Sequence, residues 1–106
     1  MYDKNKGFVY EKIAERYLLK NNFIIIERNF ISKFGEIDVI ALKGDRIHFI
    51  EVKGRKDLSF GYPREAVTIH KQQKIKGAAK YYFMLLGKDD IPCQFDVIEI
   101  IMDNKE

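Results

Sequence analysis

The chain has 106 residues, of which 46% are hydrophobic and 33% charged, and its formal net charge is +3. This size and balance predict a single domain over residues 1–106 with a hydrophobic core, and they exclude a disordered chain. No apolar run approaches the ~20 residues of a membrane-spanning helix. The first residues, MYDKNKG, also lack the apolar region of a secretory signal. With one cysteine, Cys93, the chain cannot form an internal disulfide, so the reducing cytoplasm is the expected compartment.

Hydrophobic spacing predicts two helices and four strands. The first helix covers residues 6–21, and the second follows a Thr68 cap and runs to about Leu86, where Gly87 ends it. The strands are predicted at 23–29, 35–42, 46–53 and 94–101. The predicted inward-facing helix positions include Ala14, Tyr17, Leu18, Ile75, Ala78, Ala79, Tyr82 and Leu86. The order α-β-β-β-α-β indicates an α/β fold, in which helices flank a mixed β-sheet.

The second and third strands form a predicted hairpin. Gly44-Asp45 is a favoured pair for a two-residue hairpin loop, so that Lys43 faces Arg46 and Ile40 faces Phe49. Both faces of this hairpin are largely apolar, which is typical of strands covered by helices on each side.

The same register places two acids opposite each other at the open end of the hairpin. Asp38 faces Glu51 and Glu36 faces Lys53, and all four side chains lie on one face because side chains alternate along a strand. Carboxylates on facing residues, with Cβ atoms ~5 Å apart, repel each other. A fold that accepts such a repulsion usually does so at a functional position.

A divalent cation is the simplest compensator for the opposed acids. Two carboxylates completed by water are typical of Mg²⁺ or Mn²⁺ sites. Lys53 points to the same side, where it could orient water or offset negative charge, and this set is suited to phosphodiester hydrolysis. The alternative is that the register slips, the acids turn to solvent, and Lys53 only neutralises Glu51.

The distribution of charge along the chain suggests an anionic partner. Residues 53–80 hold eight Lys and Arg against two acids, a net of +6 that leaves −3 for the rest of the chain. A basic segment directly after the acids could hold an anion near them. Ordinary solvated lysines on a helix explain the same pattern equally well.

The hairpin also carries a family resemblance. GEIDVIAL followed by IHFIEVKGR resembles the Asp-X(n)-Glu-X-Lys core of the PD-(D/E)XK nucleases. Together with RNF, FGYPREAV and FDVIEI, the chain resembles the YraN-like bacterial family over almost its whole length, and this family is similar to archaeal-type Holliday junction resolvases. The resemblance implies a restriction-endonuclease-like fold and Mg²⁺-dependent hydrolysis of DNA, with branched or structured DNA as a candidate substrate.

The resemblance also implies roles for individual residues. Asp38 and Glu51 would be the metal ligands, with the backbone carbonyl of Val52 as a third. Lys53 would be the catalytic lysine, and Glu11 the acid that resolvase-like members supply from their first helix. The sequence departs from the family pattern at Tyr10, where a glycine commonly precedes that acid.

The remaining candidates are less specific. Glu36 either holds Lys53 in place or is the more exposed acid at the open end of the hairpin. A surface that follows a phosphate backbone needs positive charge rather than exact geometry. Its candidate phosphate contacts are Arg55, Arg64, Lys71 and Lys74.

Three function classes stay open. The first is a nuclease, and its small size makes a symmetric homodimer plausible for gripping branched DNA. The second is a DNA-binding or adaptor domain that keeps the nuclease fold without turnover. The third is a protein-interaction module, against which the basic segment argues weakly.

Overall fold

The computed structural model describes residues 4–55 and 68–102, with side chains from residue 7 onward. Its elements are α1 (Lys4–Lys20), β1 (Ile24–Ser32), β2 (Gly35–Lys43), β3 (Arg46–Arg55), α2 (Ile69–Leu86) and β4 (Cys93–Ile101). The predicted α/β class and element order are therefore confirmed. Within these ranges, neither helix is long and apolar enough to cross a bilayer.

The described strands form one mixed sheet in the order β1-β2-β3-β4. β1, β2 and β3 pair antiparallel, and β4 pairs parallel to β3. Consecutive antiparallel strands need only short turns, whereas the parallel β3–β4 pair needs a longer crossover. α2 lies in that crossover.

The core consists of two clusters, which follow from the alternation of side chains along the strands. The cluster under α2 contains Ile37, Ile40, Ile47, Phe49, Ile75, Ala78, Ala79 and Tyr82, and the cluster under α1 contains Leu18, Val39, Ala41 and Ile50. Each helix therefore covers one face of the sheet. Two predicted core positions are wrong, because Tyr17 is 57% exposed and Leu86 is 44% exposed.

The local signals at the helix ends and the hairpin turn are confirmed. The Thr68 side chain accepts a hydrogen bond from the Lys71 amide, and Gly87 ends α2 with a φ of 71°. The hairpin register holds from Lys43–Arg46 to Val39–Ile50.

The hairpin ladder does not continue to the predicted Asp38–Glu51 pair. It ends at Val39–Ile50, and the Val52 amide donates to Asp38 Oδ2 at 2.7 Å. A continued register would have paired Val52 with Ile37. Ile37 instead packs in the cluster under α2, although strict alternation predicts it on the other face.

The neighbouring strand β1 is irregular at two points. Its register with β2 shifts between Ile25 and Glu27, and Asn29 has a φ of 53°. The pair of Asn29 with Asp38 is missing from the β1–β2 register, which resumes at Phe30–Ile37. A bulge bends the strand that carries it and re-aims its side chains. Ile37 leaves the predicted face at the point where the β2–β3 ladder has ended and the β1–β2 register omits Asp38.

Two glycines allow the helices to approach the sheet closely. A Cβ on Gly35 would lie 2.9 Å from the Lys74 carbonyl oxygen of α2. A Cβ on Gly54 would lie 2.3 Å from the ring of Tyr10 on α1. The aromatic ring at position 10 therefore occupies space that a side chain at position 54 would otherwise fill.

We expect Gly54→Ala to destabilise the protein by about 1–3 kcal/mol, because the new methyl group overlaps the Tyr10 ring. In a Tyr10→Ala background the same substitution should cost much less. Urea unfolding of the four variants of this cycle measures both values. An equal cost in both backgrounds would contradict the proposed contact.

Candidate active site

A cleft of about 800 Å³ lies at the open end of the hairpin, next to the N-terminal parts of both helices. Its lining includes eight of the residues singled out in the sequence, namely Glu11, Glu36, Asp38, Glu51, Val52, Lys53, Lys71 and Lys74. These eight residues come from four elements, α1, β2, β3 and α2, and they converge on one space.

Asp38 is partly buried in this cleft and carries an unfavourable charge. Burial, opposed by the Val52 hydrogen bond and reinforced by the nearby carboxylates Glu51, Glu36 and Glu11, raises its pKa from 3.8 to about 6. Two adverse effects, loss of water and negative neighbours, thus act on the same group.

Glu51 is the most deeply buried acid of the cleft, at 7% exposure. Its Oε1 atom lies 2.7 Å from Lys71 Nζ and 3.4 Å from Lys53 Nζ. One carboxylate oxygen therefore receives two ammonium groups, one from its own strand and one from α2. This arrangement satisfies the requirement that a buried charge be paired.

The two ammonium groups influence each other in opposite directions. Burial and the adjacent Lys71 charge lower the pKa of Lys53. Burial, the largest single effect, disfavours the charged form of Lys71, but its hydrogen bond with Glu51 and the charges of Glu51 and Asp38 act together in the other direction and raise the pKa of Lys71. Lys71 is thus the more firmly protonated partner of Glu51.

Glu11 enters the cleft from α1. Its Oε1 accepts a hydrogen bond from Asn29 Nδ2 at 3.3 Å, and its charge contributes to the raised pKa of Asp38. The Tyr10 ring against Gly54 brings α1 close to β3, so the departure from the family pattern at position 10 does not keep the helix away.

Asn29 and Gly54 line the cleft but were not singled out by sequence reasoning. Asn is depleted in strands and tolerates a positive φ, which was the available signal for Asn29. The glycine in EVKGR was visible too, but its purpose depends on a contact with a distant helix.

The other predicted residues differ in their placement. Glu36 is exposed at the rim and pairs in register with Ile31 of β1. Its predicted pair with Lys53 does not form, because the β2–β3 ladder ends at Val39–Ile50. Lys74 is an exposed residue of the cleft, whereas Arg55, at the end of β3, is absent from its lining. Arg64 lies outside the described residues.

The donor set fits a hard divalent cation. Asp38 and Glu51 supply carboxylate oxygens, and the excess negative charge around Asp38 is what a cation would relieve. Among the described residues no group of three or more His, Cys, Asp and Glu is placed to hold a metal. A site of two carboxylates, one backbone carbonyl and several waters suits Mg²⁺ better than a metal needing an all-protein shell.

Comparison with known proteins identifies the family. Residues 10–100 match the model of the uncharacterised protein family UPF0102. The chain belongs to the UPF0102 family. This is the YraN-like membership that the sequence motifs predict, and it is confirmed.

Relatives in the UPF0102 family match nearly the full chain. The UPF0102 protein of Clostridioides difficile strain 630 is 45% identical over 99% of this chain and 92% of its own length. The UPF0102 protein of Caldanaerobacter subterraneus is 46% identical over 94% of this chain and 82% of its own length. The cleft therefore lies within the region that these UPF0102 proteins share.

We expect Asp38→Asn to stabilise the metal-free protein at pH 7.5 by about 3 kcal/mol. The folded-state pKa of about 6 lies above the unfolded value of 3.8, so the wild-type protein loses stability as pH rises through this window, and the amide variant does not. Below pH 4 the difference should vanish.

Urea unfolding with a chelator from pH 3.5 to 8 measures this difference. Asp45→Asn, at the exposed hairpin turn, is the matched control. A stabilisation by Asp38→Asn that does not change with pH would contradict the burial of a strained carboxylate.

Proposed function

We propose that this protein is a metal-dependent nuclease that hydrolyses phosphodiester bonds in DNA, with branched or structured DNA as the favoured substrate. The observation that carries the proposal is the convergence of Asp38, Glu51 and Lys53 in one cleft. Lys71 and Lys74 of α2 line the same cleft and supply positive charge beside the acids.

The proposed division of labour follows from the chemistry of each group. Asp38 and Glu51 would hold Mg²⁺ or Mn²⁺ with the Val52 carbonyl, and water would complete the shell. Such a cation, when bound, supplies charge stabilisation and a more acidic water. Asp38 keeps its orientation through the Val52 amide, so one of its oxygens is fixed before any ligand arrives.

Lys53 is suited to stabilise negative charge on the phosphate. Its side chain is 22% exposed and its ammonium lies beside Glu51, so the group reaches the cleft without free movement in solvent. Positive charge held in a partly dry site is worth more to a developing anion than the same charge in water. The lowered pKa of Lys53 also makes it the readier proton donor of the two cleft lysines.

Binding of the DNA backbone needs charge around the cleft. Lys74 is exposed on α2, and Arg55 follows Lys53 at the end of β3. Contacts of this type provide affinity without sequence preference. A symmetric homodimer would double the basic surface, and we propose it as the form that grips a branched duplex.

We expect Mn²⁺ to bind the wild-type protein and to bind Asp38→Ala at least about tenfold more weakly, because Asp38 provides one of two carboxylate ligands. Calorimetric titration measures both affinities, and Asp45→Ala at the hairpin turn is the control of equal charge change. Equal heats from wild type and Asp38→Ala would remove the metal site from the proposal.

We expect Lys53→Ala to lower cleavage by about 100-fold or more if the ammonium stabilises the transition state. A panel of linear, flap and four-way DNA substrates with Mn²⁺ measures the rate and the preferred geometry. Equal cleavage by wild type and Lys53→Ala would indicate a contaminating nuclease and contradict the assignment.

One observation favours a second candidate, a DNA-binding or adaptor domain without turnover. Glu51 is already neutralised by Lys71 and Lys53, so the site needs no cation to be electrically balanced there. This alternative predicts salt-sensitive DNA binding that survives Glu51→Ala, with no cleavage in Mg²⁺ or Mn²⁺.

A further inference from the structure

The contact between Lys71 and Glu51 has a role that the proposed hydrolysis does not use. Lys71 Nζ lies 2.7 Å from Glu51 Oε1, a shorter distance than the 3.4 Å from Lys53 Nζ. Glu51 must be paired because its side chain is only 8% exposed, and an unpaired charge at that depth is costly.

We infer that Lys71 is the built-in counter-ion of Glu51 and that a divalent cation displaces it from Oε1. This inference rests on the proposed metal-dependent function, because it concerns the same carboxylate. In the metal-free protein the ammonium occupies the position beside Glu51 that a hard cation would need.

Lys71, rather than Lys53, is the group that leaves. Its side chain is 36% exposed against 22% for Lys53, and it projects from α2 rather than from the strand that carries Glu51. An ammonium and a divalent cation on one carboxylate oxygen would repel each other at short range. The long, flexible lysine stem lets the ammonium move into the cleft at little cost.

The displacement links two events at the site. A metal that binds Glu51 would free the Lys71 ammonium to move within the cleft. Lys74 lines the same cleft, where a phosphate would be held. Cation binding would therefore increase the charge available to the DNA backbone. The role of Lys71 as a phosphate contact, which the sequence predicts, would then apply to the metal-loaded protein.

Calorimetric titration with Mn²⁺ tests the competition. Lys71→Met removes the counter-ion, and Lys74→Met removes a charge from the same cleft that has no contact with Glu51 among its described interactions. We expect Lys71→Met to bind Mn²⁺ about tenfold more tightly than wild type, and Lys74→Met to stay within about threefold, since only Lys71 competes for the oxygen.

Pulse acetylation of the wild-type protein gives a second measurement that does not depend on the folding of a variant. Mass spectrometry of the labelled peptides reports the reactivity of each lysine with and without saturating Mn²⁺. We expect Lys71 to become several-fold more reactive in Mn²⁺, because an amine released from an ion pair is more accessible, whereas Lys74 should change little.

The outcomes separate this inference from the nuclease proposal. If Mn²⁺ binding depends on Asp38, but Lys71→Met binds no more tightly than Lys74→Met, the competition is overturned and the metal site stands. A Lys71 labelling rate that is the same with and without Mn²⁺ overturns the competition as well. If neither the wild type nor any lysine variant binds Mn²⁺, both the metal site and the competition fall.

Discussion

The structure depends on the burial of acidic side chains at the open end of a β-hairpin. Glu51 is almost fully buried, and Asp38 is raised in pKa by burial and by neighbouring carboxylates. Each acid is compensated by a different element: the Val52 amide of β3 serves Asp38, and Lys71 of α2 serves Glu51. The packing of α2 against the hairpin thus also brings in the charge that compensates Glu51. Gly35 makes this close packing sterically possible.

The cleft forms where regular sheet pairing is given up. The β2–β3 ladder ends at Val39–Ile50, and β1 contributes a register shift and a positive φ at Asn29. A regular ladder would consume the Val52 amide in strand pairing. Its release provides a hydrogen bond for a carboxylate instead, so the irregularity and the polar site have one cause.

The parts of the molecule that could be predicted from the sequence are those decided by local patterns. The element order, the Thr68 cap, the Gly87 stop and the register near the Gly44-Asp45 turn depend on residues close in the chain. The position of Ile37 could not be predicted, because it breaks the alternation within β2 at a point where the β2–β3 ladder has ended.

The candidate site could likewise be predicted only where it depends on residues close together in the chain. The acids and Lys53 lie within one hairpin motif, so their convergence follows from short-range spacing. The attachment of Lys71 to Glu51 requires the relative placement of α2 and β3, which pairwise spacing in the sequence does not contain. Tyr17 and Leu86 were misplaced for a related reason, since the periodicity of a helix does not show where its neighbours end.

The two ends of the hairpin are unlike each other. Lys43, Gly44, Asp45 and Arg46 form an exposed tip, and a Cβ added at Gly44 meets no atom within 4 Å. Glu51 lies five positions beyond Arg46 along β3, a span of roughly 17 Å. A fluorophore or an affinity handle attached at the tip would report on the protein while leaving the acidic end chemically undisturbed.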